Sequence, residues 1–209
     1  PWSAALGGLL GLGFLTSYSF GFIVLPVAIC VGWWVPSAVR LRTLWTLLLA
    51  FLLLTTPWMV RNFVRSGLPL GISTLAPWVG TAGFPVDSLE RSQNPDLSRL
   101  RLAEVLTKVL SNSQSILAND VPRMFGNWFG AFLLVGLLLP MADARMSRLR
   151  WLLLAQLMML VPAQALIQTP LSTQSPVLNS ENLLAWLVPL AGLYAAVVFR
   201  WALDTFQFP

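Results

Sequence analysis

The chain has 209 residues, 56% hydrophobic and only 10% charged, with a mean hydropathy of +0.73. Soluble domains carry about a quarter charged residues, so an interior of this length cannot hide the apolar surface, and a bilayer must serve as solvent for much of it. The net charge of +5 comes largely from single arginines at the ends of apolar runs. With no Lys/Arg run and no basic-aromatic stripe, that charge points to orientation in a membrane and not to nucleic acid.

The single cysteine, Cys30, and the absence of histidine exclude an internal disulfide, a histidine-dependent nucleophile triad and an ordinary zinc cluster. No cofactor is expected. The six methionines and ten tryptophans read as core and interface-belt material. The chain opens on Pro1-Trp2 without a signal-peptide pattern. It is expected to be part of a longer protein whose earlier spans precede it.

Residues 3–35 form an uncharged apolar tract broken by Thr16-Ser17-Tyr18-Ser19. The expectation is a Gly-rich half-helix over about 4–15, with Gly7, Gly8 and Gly11 allowing close helix approach, then a span over about 19–35. Pro36 to Arg42 reads as a short connection, followed by a span over 43–60 that covers roughly 27 Å at 1.5 Å per residue. Residues 61–126 form the one large extramembrane segment of a single membrane domain, 1–209. Within it, Asn94-Pro95-Asp96 reads as a helix start. In the following helix, Leu102, Leu106, Val109, Ile116 and Leu117 are expected on one face, against membrane surface or neighbouring loops. Arg101, Glu104 and Lys108 are expected on the other, with Glu104–Lys108 as an i,i+4 pair, and Pro122 ends the helix. Further spans are expected over 127–141, 151–167 and 183–200. The fold class is therefore all-α and polytopic, with about five membrane helices.

The short loops 36–42 and 142–150 and the tail from Arg200 carry six basic residues, Arg40, Arg42, Arg145, Arg148, Arg150 and Arg200. The opposing loop 168–182 carries none. The positive-inside rule then puts 61–126 and 168–182 together on the outer side. The first brings Arg61, Asn62, Arg65, Ser73 and Thr74; the second brings Asn179, Glu181 and Asn182. Arginine forks suit phosphate oxygens, and Arg61 falls at headgroup depth. Asp87 and Glu90 are candidate acids or bases.

The stretch TPWMVRNFVRSGLPLGIST at 56–74 resembles a pattern of the GT-C superfamily of polytopic glycosyltransferases, in the bacterial branch of protein O-mannosyltransferases and aminoarabinose transferases. Pro57, Trp58, Arg61, Asn62, Gly67, Pro69, Ser73 and Thr74 carry it. The tract GGLLGLGFLTSYSFGFIVLP at 7–26 is similar to the Gly-rich half-helix and following span of that family. Two positions depart: Ser17 stands where a basic residue is usual, and Asn182 where an arginine is.

The resemblance implies transfer of a sugar from a polyprenyl-phosphate donor to an acceptor on the outer side, in a bacterial inner membrane. The catalytic acid would lie in a first outward loop ahead of this sequence. The two outward segments give a candidate substrate-binding set of Arg61, Asn62, Arg65, Glu181 and Asn182, of which the resemblance covers Arg61 and Asn62; it implies membrane lipid and the lipid-linked sugar as partners. The alternative is a non-catalytic scaffold subunit of that fold, bound to other membrane proteins.

Overall fold

A computed structural model of the chain describes residues 1–82, 84, 98, 101–124, 126, 128–141, 143–168 and 183–205. Among these the architecture is all-helical, with one isolated bridge between Thr81 and Phe84. The helices are α1 (Trp2–Thr16), α2 (Gly21–Trp34), α3 (Ser37–Ser66), α4 (Leu102–Ser115), α5 (Val121–Met124), α6 (Trp128–Leu138), α7 (Ala144–Ile167) and α8 (Val188–Thr205). Short 3-10 segments occupy Tyr18–Phe20, Gly71–Trp78 and Leu183–Leu187.

Three helical stretches are long and apolar enough to cross a membrane: Ser37–Ser66, Ala144–Ile167 and Leu183–Thr205. The spans expected over 19–35 and 127–141 correspond to shorter apolar helices of 14 and 11 residues.

The half-helix ends where the sequence turns polar. The Thr16 hydroxyl donates to the Gly13 carbonyl at 2.7 Å, Ser17 takes an extended conformation, and the chain reverses through Tyr18–Phe20 into α2. α1 and α3 run parallel and close. A Cβ on Gly7 would collide with the Leu47 carbonyl oxygen, and one on Gly11 would lie 3.1 Å from the Leu54 Cβ. Gly8 has only Leu54 Cδ1 at 4.0 Å, so two of the three expected glycines make the close approach.

Several expected boundaries shift. α3 begins at Ser37, so Arg40 and Arg42 lie in its first turns and only Val35 and Pro36 connect it to α2. It also runs through Pro57. A proline removes one hydrogen bond from the ladder, and membrane helices tolerate that loss. Arg61, Asn62 and Arg65 therefore sit on helix, not in a loop. Gly67 ends the helix with φ +71, its N–H bonded to the Phe63 carbonyl at 2.8 Å. α7 begins at Ala144, capped by the Asp143 carboxylate on the Arg145 N–H at 2.6 Å. Arg145, Arg148 and Arg150 thus occupy its first turns. Pro122 does not end its helix: the chain passes through a π turn, Ile116–Asp120, and continues as α5 to Met124. The expected start at Asn94-Pro95-Asp96 lies outside the described residues.

The core is formed by Ile23, Leu47, Ile116, Leu133, Leu153, Leu160, Leu183 and Tyr194, among others. Buried Tyr194 donates to the Gly136 carbonyl at 2.7 Å, fixing α8 against α6. Cys30 is buried. Trp33 and Trp151 meet at 5.6 Å between centroids near the end where Arg40 and Arg150 lie. Phe20 and Trp186 meet at 4.5 Å at the other end, near Tyr18 and Trp58. Exposed Trp33 and Trp151 at one end, and Trp58 and Trp186 at the other, form two aromatic belts of the kind seen at bilayer interfaces.

Candidate functional site

The parallel register of α1 and α3 delivers Tyr18, just past α1, to the far part of α3. Trp58 and Asn62 are four residues apart and share one face of α3. Both donate to the Tyr18 phenol oxygen, Trp58 Nε1 at 2.9 Å and Asn62 Nδ2 at 3.1 Å. Phe14 braces the knot, 5.4 Å from the Tyr18 ring and 5.7 Å from Phe51. With both lone pairs of its oxygen engaged, Tyr18 keeps its own proton, which has no acceptor among the described residues.

Beyond Gly67 the chain folds back. The Ser66 hydroxyl donates to the Asn62 carbonyl at 2.8 Å, and Thr74 Oγ1 accepts from the Leu70 N–H at 3.3 Å. This lays the 3-10 segment Gly71–Trp78 beside the α1–α2 turn, where the two border a half-open cavity of about 740 Å³. Phe14, Leu15, Phe22, Leu70, Pro77 and Ile167 supply apolar wall, while Thr16, Ser17, Tyr18, Ser73 and Thr74 bring hydroxyls. The volume falls in the usual range for small-molecule sites, and a few polar groups on an apolar lining is their usual chemistry.

No family model, curated protein or solved structure matches this chain. Its chemistry is read from its own geometry. Among the described residues no group of three His, Cys, Asp or Glu side chains is placed to hold a metal ion.

Arg61 is linked to the cavity only through Trp58. Its guanidinium stacks over the Trp58 ring, 4.7 Å from the centroid, and Trp58 lines the cavity. Arg61 and Arg65 are both exposed and neither is on the cavity wall. Asn62 faces inward and holds Tyr18. Glu181 and Asn182 lie outside the described residues, as do Asp87, Glu90 and Asn179. Leu183, the next described residue, is buried, and its N–H bonds to Gln164 Oε1 at 2.9 Å.

A second cavity, of about 620 Å³, lies on the other side of the Gly71–Trp78 segment, between residues 80–82 and α4. Here the expected faces of α4 hold in part: Val109 packs on the core and Ile116 is buried, but Glu104 and Lys108 turn inward as well. Lys108 Nζ donates to the carbonyls of Pro77 at 3.2 Å and Val79 at 2.5 Å. Glu104 Oε2 accepts from the Ala82 N–H at 3.2 Å. Each side chain therefore binds the 77–82 backbone instead of forming the expected pair. Asn112 Nδ2 donates to the carbonyls of Ala165 at 2.9 Å and Gln168 at 3.3 Å. Leu102 and Leu110 face outward, 73% and 72% exposed, along with Leu106 and Leu117, while Val105 and Ile116 are buried. The inward turn of the polar column has a cause: α4 also packs against loop and helix-end carbonyls, which must find donors when covered, and this draws 104–108–112 inward. Partial burial pulls the Lys108 ammonium down to about 8.

Sequence reasoning missed Tyr18, Lys108, Asn112 and Gln168 as site residues. Lys108 is the chain's only lysine. Its i,i+4 alignment with Glu104 and Asn112 was the available signal, and it reads equally as a solvated stripe.

Proposed function

We propose that this chain is the membrane part of a GT-C-like glycosyltransferase of a bacterial inner membrane, acting on the outer side on a sugar linked to a polyprenyl phosphate. One observation carries the reading. The two stretches that resemble that superfamily, 7–26 and 56–74, meet through Tyr18, Trp58 and Asn62 and border one cavity with an apolar wall and a hydroxyl rim. The apolar wall suits the first isoprene units of the carrier. The Tyr18 hydroxyl has its proton free for a phosphate oxygen, and Arg61, held on Trp58, reaches the same headgroup level with a two-pronged donor.

In the transfer, the acceptor hydroxyl oxygen bonds to the anomeric carbon and the bond from that carbon to the phosphate oxygen breaks. The hydroxyl proton passes to a carboxylate base, and the lipid phosphate leaves. The resemblance puts that base ahead of residue 1. The residues described here bind and orient the donor.

The test is binding of a polyprenyl phosphate to the purified full-length protein by native mass spectrometry, with the matching polyprenyl alcohol as control. The phosphate should be retained and the alcohol largely lost, and Tyr18→Phe should weaken retention of the phosphate. Equal retention of the two lipids would mean that no phosphate site exists.

A further inference from the structure

We propose that this chain fits a thinned bilayer and takes anionic phospholipids with short acyl chains as its lipid partners. What carries this is the height of its apolar band. Two ring contacts pin the band at both ends of α2. Phe20 meets Trp186 at the outer end, and Trp33 meets Trp151 at the inner end. Phe20 and Trp33 are thirteen positions apart, about 20 Å along a helix at 1.5 Å per residue. The hydrocarbon of an ordinary bilayer is about 30 Å thick.

The other helices give similar heights independently. Trp45 and Trp58 on α3 are again thirteen positions apart, about 20 Å. Trp186 and Trp201, at the two ends of the last helical stretch, are fifteen apart, about 22 Å. α1 runs parallel to α3, from Trp2 to the Tyr18 knot, about 24 Å. α6, with 11 residues, covers only about 16 Å. Trp2, Trp33, Trp45, Trp58, Trp186 and Trp201 are all exposed. Tryptophan rings settle at the edge of the hydrocarbon and set how a helix sits there. Tilting any of these helices lowers the band further.

The extra length of the long helices lies outside the band. α3 continues inward past Trp45 to Arg42 and Arg40, and outward past Trp58 to Arg61 and Arg65. α7 continues inward past Trp151 to Arg150 and Arg148. Arginine stems reach into the headgroup layer and leave the spacing of the tryptophans unchanged. A thicker bilayer would press acyl chains against these charged turns, so lipids that thin the membrane fit best. Arg40, Arg42, Arg145 and Arg148 are exposed at the inner rim, and their charge complements anionic headgroups.

The full-length protein is reconstituted in vesicles of monounsaturated phosphatidylglycerol, in a series from fourteen to twenty-two carbons per chain. The affinity of each lipid is read by its displacement of a spin-labelled phosphatidylglycerol from the protein surface. Affinity should be highest for the shortest chains and fall by about threefold or more to the longest, since the cost grows with each ångström of mismatch. Phosphatidylcholine of the shortest chains should compete less well than the matching phosphatidylglycerol. Trp45→Leu combined with Trp201→Leu, exposed changes away from both cavities described above, should flatten the chain-length profile and keep the thermal midpoint. An affinity that peaks at eighteen carbons, the chain of an ordinary bilayer, overturns the proposal, and so does a profile without chain-length dependence. A double variant with the wild-type profile overturns it as well, because the tryptophans would then not set the band. Equal competition by phosphatidylcholine would overturn the anionic headgroup. None of these outcomes depends on sugar transfer or on lipid-phosphate binding at the first cavity, so either proposal can fail without the other.

Discussion

The Asn62 amide nitrogen lies 3.1 Å from the Tyr18 phenol oxygen, joining the turn after α1 to the outer part of α3 across 44 positions of sequence. The bond makes the two residues one unit, so their contributions to stability should not add. In a double-mutant cycle of Tyr18→Phe and Asn62→Leu, read by denaturant unfolding in detergent, the coupling should be about 0.5–1.5 kcal/mol. Strict additivity would mean that the pair does not hold the turn.

The register that brings Tyr18 to Asn62 is set lower down, where Gly7 passes the Leu47 carbonyl. Gly7→Ala should destabilise the protein by about 1–3 kcal/mol, the usual penalty for overpacking, and should also weaken lipid-phosphate binding by shifting Tyr18. Gly8→Ala meets only ordinary van der Waals contact and should leave both unchanged. Equal midpoints for the two variants in thermal unfolding would remove the close approach from the explanation.

Lys108 gives a pH prediction with a definite sign. Its folded value, about 8, lies below its ordinary 10.5, so between those limits the unfolded chain holds the proton and the folded protein does not. Stability should therefore rise with pH across roughly 8 to 10.5 and gain nothing from this group below 8. Glu104 is the ionisable neighbour on its own helix; neither the 77–82 segment nor residues 160–168 of the α7 end contains an ionisable residue. The thermal midpoint of the wild type should climb from pH 8 to pH 10, while Lys108→Met should flatten that part of the profile. A wild-type midpoint that falls over this range would contradict the burial of the ammonium.

The orientation expected from the arginines can be tested by labelling. In a Cys30→Ala background, a cysteine replacing Ser73 should react with an impermeant thiol reagent added from outside, and one replacing Ser147 should not. The reverse pattern would turn the molecule over in the membrane.

Much of the fold could be read from the sequence where one physical signal acted alone. The polar break at 16–19 stops α1 because hydroxyls compete for backbone carbonyls, as Thr16 does at Gly13. Gly67, a turn-forming residue by type, turns the chain with φ +71, although it does so at the end of a helix expected to stop at 60. The reading failed where two signals conflicted. The span expected to stop at 60 runs on to Ser66, since the helix ladder tolerates the bond missing at Pro57 and continues past the apolar run. On α4 the charged residues were read as facing water, yet Glu104 and Lys108 bind the 77–82 backbone, while Val109 and Ile116 of the apolar face pack inward as expected. The faces opposite it are bare carbonyls, so they drew in Lys108 and Asn112. Of the predicted site set, Asn62 lies in the knot and Arg61 stacks on its Trp58. Arg65 stands off the wall, and Glu181 and Asn182 fall outside the described residues.

The role of Arg61 can be separated from that of Arg65. Both are exposed on the last turns of α3, one turn apart, so general attraction to lipid headgroups acts on them alike. Only Arg61 is held in place, by the Trp58 ring at 4.7 Å, and Trp58 is in turn bonded to Tyr18 on the cavity wall. Such a stack is worth about 0.5–1 kcal/mol at an exposed site, enough to favour one orientation of the guanidinium beside Trp58. Lysine keeps the charge but loses both the planar stack and the two-pronged geometry. In the full-length protein, Arg61→Lys should lower transfer from a polyprenyl-phosphate sugar by roughly tenfold or more, the loss of one charge-assisted hydrogen bond. Expression and insertion should stay normal. Arg65→Lys should change transfer less than about threefold, as screened surface charges do. Equal activity of Arg61→Lys, Arg61→Ala and wild type would remove the phosphate contact. Absence of any sugar transfer by the wild-type protein, with lipid-phosphate binding intact, would favour the scaffold reading.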